Sequence, residues 1–223
     1  MKWRPYNAMP KMINLYGYWR SSATWRVRWA LEIKGIPYNY VPVNILSGET
    51  QKPEHLARHP LGMLPVLETE DGQMISESLA MIEWIEEVFN LKGPSLYPGS
   101  ALDRAQIRML CETINADTAP LQTPRVQKRH SSDAAEKLAW AQHFVREGLK
   151  AFDVLSSKTR GTFSHRNDLS AADLCLVPQI YNALRFDIDV KSEFAGLFKI
   201  YEHCRKLQSC ENASPEKQKD ATV

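Results

Sequence analysis

The residues from Met12 to Gly35 constrain this chain most, because an apolar extended run stops there and a helical pattern begins after a very short connection. Met12-Ile13-Asn14-Leu15-Tyr16 reads as a short strand, and Trp25 to Lys34 carries apolar residues at helical spacing until Gly35 closes it. Between them lies Gly17-Tyr18-Trp19-Arg20-Ser21-Ser22-Ala23-Thr24. A loop that feeds directly into a helix presents unpaired N–H groups and the positive end of the helix dipole to an anion. Ser21, Ser22 and Thr24 add hydroxyl donors at that point and are also N-cap candidates. Residue type alone leaves both roles open, cap and catalytic donor.

The following segments extend this start into a sheet. Tyr38-Asn39-Tyr40-Val41-Pro42-Val43 alternates like a strand, and Pro42 places it at a sheet edge or a bulge, completing a βαβ unit. A polar stretch from Asn44 to Arg58, with a short helix near 53–58, is expected to stay mobile until a ligand binds. Val66-Leu67-Glu68 and Met74-Ile75 flank Asp71-Gly72, a hairpin signal. Ser76-Glu77-Ser78 then opens a helix to about Phe89, with Leu79, Ile82, Ile85 and Phe89 on one face. Turn formers crowd Asn90 to Gly99, and strand signals vanish after them. Helices follow near 101–116, 133–157, 170–182 and 194–207, the third opened by the capping sequence Ser170-Ala171-Ala172-Asp173. The division read from this pattern is an α/β domain at 12–90, a linker at 91–99 and an all-α domain at 100–212. Residues 1–11, with Lys2, Arg4 and Lys11 and no acid, and residues 213–223 read as flexible tails.

Composition removes several function classes. The 28 basic residues against 26 acidic ones give a net charge of +2, and the basic residues are dispersed, so there is no general electrostatic case for nucleic acid. An acidic ligand must be recognised by local arginines. No stretch approaches the ~20 consecutive apolar residues that cross a bilayer. Cys111, Cys175, Cys204 and Cys210 form no CxxC pair and no zinc-type spacing with histidine, so no metal site is expected. They read as reduced thiols of a cytoplasmic protein, Cys175 buried and Cys204 and Cys210 partly exposed.

Three stretches carry a family likeness. Ser21-Ser22-x-x-Trp25-Arg26-Val27-Arg28-x-Ala30-Leu31, directly after Tyr16-x-Tyr18-Trp19-Arg20, resembles the N-terminal signature of zeta-class glutathione transferases, the family that includes the maleylacetoacetate isomerases. Ile82-Glu83-Trp84-Ile85-Glu86-Glu87 and the run from Ala172 to Arg185-Phe186 are similar to the same family, so the likeness spans nearly everything after Met12. It implies a glutathione transferase fold, a thioredoxin-like βαβ-ββα domain followed by a helical bundle, with glutathione as cofactor. It makes Ser21 the catalytic hydroxyl, with Ser22 as second choice and Arg20 contributing field or binding substrate. It makes Pro65 a cis proline that exposes the backbone of Leu64 to the cysteinyl unit of glutathione, like an added strand. Glu77 then accepts from the γ-glutamyl ammonium, and the Ser78 hydroxyl and N–H bind its carboxylate. Gln122 matches a position that reaches glutathione, while Arg20, Arg125 and Arg185 match the side that receives substrate. A cysteine that usually follows the second serine is Ala23 here, and Ser164-His165 replaces a glycine-containing turn.

The resemblance implies glutathione-dependent cis-trans isomerisation of a small dicarboxylic keto acid, first of all maleylacetoacetate to fumarylacetoacetate in tyrosine and phenylalanine catabolism. Maleylpyruvate is the alternative substrate, since maleylpyruvate isomerases of the wider family also lack the cysteine. A general glutathione transferase and a non-catalytic glutathione-binding scaffold are the readings from other classes. Homodimerisation follows from family analogy alone.

Overall fold

The computed structural model describes residues 12–222, so the reading of 1–11 as a loose extension lies outside the described residues. Strand β1, Ile13–Gly17, buries Ile13 and Leu15 and pairs in parallel with β2, Tyr38–Pro42, across helix α1, Ser22–Lys34. Gly17 is required where strand gives way to helix: a Cβ there would stand 2.2 Å from Thr24 Cγ2 in the first turn of α1. The left-handed Gly35 ends the helix, its N–H bonded back to Glu32.

A 3₁₀ turn at Glu49–Gln51 and the short α2, Pro53–Leu56, follow β2, and the connection opens with Asn44 Oδ1 accepting from the N–H of Leu46 and of Ser47. Strands β3, Val66–Glu68, and β4, Met74–Ser76, form the expected hairpin with Gly72 at positive φ. β3 runs antiparallel to β1, giving the order β2-β1-β3-β4 and putting Pro42 on an edge strand, where its missing N–H matters least. Helix α3, Ser78–Val88, packs beside α1 on the sheet.

From 101 on the named elements of the described residues are helical: α4 Ala101–Asn115, a 3₁₀ turn Ala119–Gln122, α5 Pro124–His130, α6 Ala134–Ser156, α7 Ala171–Arg185, α8 Val190–Glu193, α9 Ala195–Cys204 and α10 Gln208–Ala213. Helix α7 is central, with Ala171 to Ile180 all buried, and it packs on α1, α4 and α9 in one continuous apolar core. Burial here follows from sequence: Ala171, Ala172, Leu174, Cys175, Leu176 and Val177 cover every side of the first two turns, so this helix is apolar all round.

Two expectations are corrected. Cys204 and Cys210 are fully buried, because α9 and α10 turn them into the core rather than along a surface. Residues 213–222, read as a tail, fold back: Ala213, Ser214 and Pro215 are buried, a 3₁₀ turn covers Pro215–Lys217, and Asp220 reaches the loop after β1.

The Ser164-His165 turn joins two helix starts. Asp173 completes its capping box with Ser170 and also accepts from the Ser164 N–H at 2.8 Å, while His165 Nε2 donates to Asp103 at 3.0 Å. Asp103 in turn forms the capping box of α4 with Ser100 and pairs with Arg166. The Ser100 hydroxyl, then His165, the Ser100 N–H and Arg166 hold its carboxyl well below the usual range. Its stabilisation is therefore complete above the unfolded-state pKa of about 3.9 and is lost as pH falls below it toward the folded value. The Asp103→Asn chain is expected to unfold at lower denaturant than the wild type near neutral pH, with the gap narrowing below about pH 4, which paired denaturation midpoints across that range will check.

Candidate active site

The end of β1 and the start of α1 place Ser21 as the N-cap of the helix. Its Oγ accepts from the Thr24 N–H at 3.2 Å, which occupies a lone pair and leaves the hydroxyl proton to be donated. Capping and donation thus coexist in one side chain. Ser22 is the first helical residue, half-buried, and makes no side-chain hydrogen bond to a described residue. Ala23 is half-buried beside it.

The Leu64–Pro65 bond is cis and directly precedes β3. The N–H and C=O of Leu64 have no hydrogen-bond partner among the described residues, so a strand-like edge is left open there. His55 Nε2 donates to Met63 O at 2.9 Å and fixes the turn that leads in. Glu77 follows β4 with φ 66°, a conformation that strains a non-glycine residue by about 1–3 kcal/mol and recurs at ligand sites. Its side chain is exposed, and His59 Nε2 lies 3.9 Å from its carboxylate.

Ser78 opens α3 and is buried. Arg26, on the first turns of α1, donates from Nη1 to Ser78 Oγ at 3.3 Å and to Asn115 Oδ1 at 2.7 Å. The guanidinium is 1% exposed, its Nε and Nη2 have no partner, and no carboxylate pairs with it among the described residues. A buried cation behind a helix N-terminus makes the electrostatics of this corner favour an anion. Sequence reasoning missed Arg26; the signal was its place one residue after a core tryptophan, on a helix that buries every residue from Thr24 to Leu31.

A second cationic corner lies across the loop. Arg20 sits over the Trp19 ring at 5.3 Å, and Arg185, at the C-terminal end of α7, bonds only to Asn182 Oδ1 at 3.4 Å. Burial first, and then the neighbouring Arg20, push the Arg185 guanidinium below its ordinary value. Neither arginine has an ion-pair partner among the described residues. Tyr181, close to both, is pushed up to about 12 by burial and by its bond to Glu216. Two such guanidinium groups held near one another match a dicarboxylate.

The structure sets Arg185 close enough to Arg20, the neighbour of Ser21, for the two charges to interact, but treats two expected residues differently. Gln122 is buried and its amide is committed to Gln179 in a reciprocal pair, 2.7 and 3.1 Å, between the 3₁₀ turn and α7. One N–H of its amide and the amide oxygen are taken up in this internal pairing, as a buried amide requires. Arg125 is exposed on α5 and lines a surface recess with Val126, Arg129, His130 and Trp140.

Comparison with known proteins places this geometry. Residues 20–88 match the family model described as the glutathione S-transferase N-terminal domain. The maleylacetoacetate isomerase of Rhizobium meliloti is 39% identical over 210 residues, 92% of this chain and 97% of that protein. Among solved structures, the holo form of a bacterial zeta-class glutathione transferase, a maleyl pyruvate isomerase, superposes with a TM-score of 0.88 at 31% identity, covering 94% of this chain and all of that one. The maleylacetoacetate isomerase of Anaeromyxobacter dehalogenans, with dicarboxyethyl glutathione and citrate in its active site, gives 0.84 at 36% identity, covering 95% and 94%. The glutathione transferase fold is thereby established for this chain.

A ligand that binds only the folded state at 100 times its Kd adds about 2.7 kcal/mol to stability. Malonate is expected to raise the thermal unfolding midpoint of the wild type through the Arg20 and Arg185 corner. Thermal scans should show that increase lost in Arg185→Ala and kept in Lys150→Ala, which alters an exposed residue of α6.

Proposed function

The chain belongs to the zeta-class glutathione transferases, the family of the maleylacetoacetate isomerases, and on that premise we propose that it isomerises maleylacetoacetate to fumarylacetoacetate with glutathione as cofactor. The observation that carries the reading is that Arg20 and Arg185 interact with each other and have no ion-pair partner among the described residues, Arg20 being next to an N-cap serine that keeps its hydroxyl proton to donate. The residues present fit glutathione: the open edge of Leu64, the exposed Glu77 and the Ser78 corner backed by Arg26 offer a strand partner, an ammonium acceptor and a carboxylate site.

Bound glutathione supplies a thiolate that adds to the electron-poor double bond and later departs, leaving the trans isomer. A thiol with a reference pKa of about 8.5 is mostly protonated at neutral pH. The chain offsets this with the Ser21 hydroxyl, the free N–H groups at the start of α1 and the nearby Arg20, all of which favour the anion. Ser22 is the second hydroxyl at that start. Arg20 and Arg185 hold the substrate carboxylates and stabilise the negative charge that grows on the keto-acid end. Arg125, exposed on α5, is assigned to substrate binding by the family likeness alone.

Maleylpyruvate is the second substrate, and Ala23 is the feature that favours it, because maleylpyruvate isomerases of the wider family also lack a cysteine at that position. The reading includes a cytoplasmic homodimer. The homodimer rests on family analogy.

Isomerisation of both keto acids by purified protein, with and without glutathione, tests the proposal. Turnover is expected with glutathione and absent without it. Ser21→Ala should lower kcat by about 10²–10³, the loss typical of a removed charge-stabilising donor, while calorimetry shows glutathione still bound. Wild-type protein inactive on both substrates overturns the reading.

A further inference from the structure

The segment after α9 crosses back over α1 and ends at the active-site loop. Trp29 Nε1 donates to Ser209 Oγ at 3.1 Å, Asn212 Nδ2 to Glu32 Oε2 at 3.2 Å, and the buried Arg28 donates from Nε to Ala213 O at 2.9 Å. At its end Asp220 Oδ2 accepts from the Trp19 N–H at 3.1 Å and from the Tyr40 hydroxyl at 3.2 Å. Arg28 Nη2 donates to Trp19 O at 2.9 Å.

Trp19 therefore has both backbone polar groups held by side chains from elsewhere in the chain. This is needed because β1 has ended at Gly17 and α1 begins at Ser22, so neither a ladder nor a helix can satisfy them. The residue stands immediately before Arg20 and two before Ser21. We propose that Asp220 is a positioning residue of the active site, fixing through the Trp19 N–H the loop that aims Arg20 and the Ser21 hydroxyl. It acts from 201 positions away in sequence. Its catalytic consequence rests on the function proposed above; its effect on the loop does not. The charge on Asp220 also offsets Arg28, whose guanidinium burial pushes below its ordinary value and whose Nη1 has no direct partner. Geometry and charge must therefore be separated.

Asp220→Ala removes both. Asp220→Asn keeps an oxygen that accepts from Trp19 and Tyr40 but removes the charge, and Asp220→Glu keeps the charge but displaces the acceptor by one methylene. Two readouts on the full-length protein are used: amide hydrogen exchange across residues 18–21, and kcat per glutathione-binding site counted by calorimetry. Misplacing a catalytic group by about 1 Å lowers rates by up to about 100-fold, so D220A and D220E are expected to lose about 10- to 100-fold in kcat with the KM for glutathione changed less than about twofold. Exchange at Trp19 should rise in both, and D220N should recover most of both readouts. Unchanged exchange in D220A, or D220E behaving like wild type while D220N fails, overturns the proposal. Where D220A does not fold, D220N against D220E decides alone. A wild type without isomerase activity ends the function reading and leaves the exchange comparison to judge this one.

Discussion

Helix α1 is buried at every position from Thr24 to Leu31, with α3, α7 and α10 packed against it and the sheet strands in the same apolar core. Total burial forces its three internal cations, Arg26, Arg28 and Lys34, to find partners inside the protein, since an uncompensated buried charge is strongly destabilising. Each is handled differently. Lys34 forms a direct ion pair with Glu86 at 2.7 Å, and that carboxylate is further held by Ser95 and the Leu96 N–H. Arg28 spends its donors on the carbonyls of Trp19 and Ala213 and stacks over Tyr40. Arg26 alone is left with two bare N–H-bearing nitrogens, and it is the one that faces the helix start read as the glutathione carboxylate site. The distribution is uneven along a single helix: Lys34 and Arg28 tie the fold together, and Arg26 keeps the most donors without a partner among the described residues, at the helix start proposed to hold a carboxylate.

The parts legible in sequence were those written in local signals. The strand-to-helix junction at Gly17 to Thr24, the Asp71-Gly72 hairpin and the Ser170 to Asp173 cap each depend on residues within a few positions of one another, and periodicity or turn chemistry reports them directly. Pro42 at a sheet edge was legible for the same reason, since a missing N–H has few places to go.

What sequence left hidden depended on partners far along the chain. The segment 213–222 is polar, and polarity reads as a tail, yet its few polar groups meet unpaired donors of the loop after β1 and become structural. Cys204 and Cys210 sit among charged neighbours in sequence but on the inner faces of their helices in space. Gln122 is placed near the site by family likeness, while its amide pairs with Gln179, nearly two turns from the helix end that carries Arg185. Arg26 is hidden by the same logic, because a charged residue in an amphipathic pattern is read as solvated until every face of the helix is seen to be covered.

The turn at Ser164-His165 has a consequence for how the helical half comes apart. Asp103 and Asp173 each cap a helix and each hold one end of that turn, so α4 and α7 share a single set of hydrogen bonds at their starts. Fraying of one helix start removes an acceptor that the turn needs, and the turn then withdraws a donor from the other. Two helices that would otherwise open independently are made into one cooperative unit, and the apolar interior that α7 runs through stays sealed until that whole unit melts.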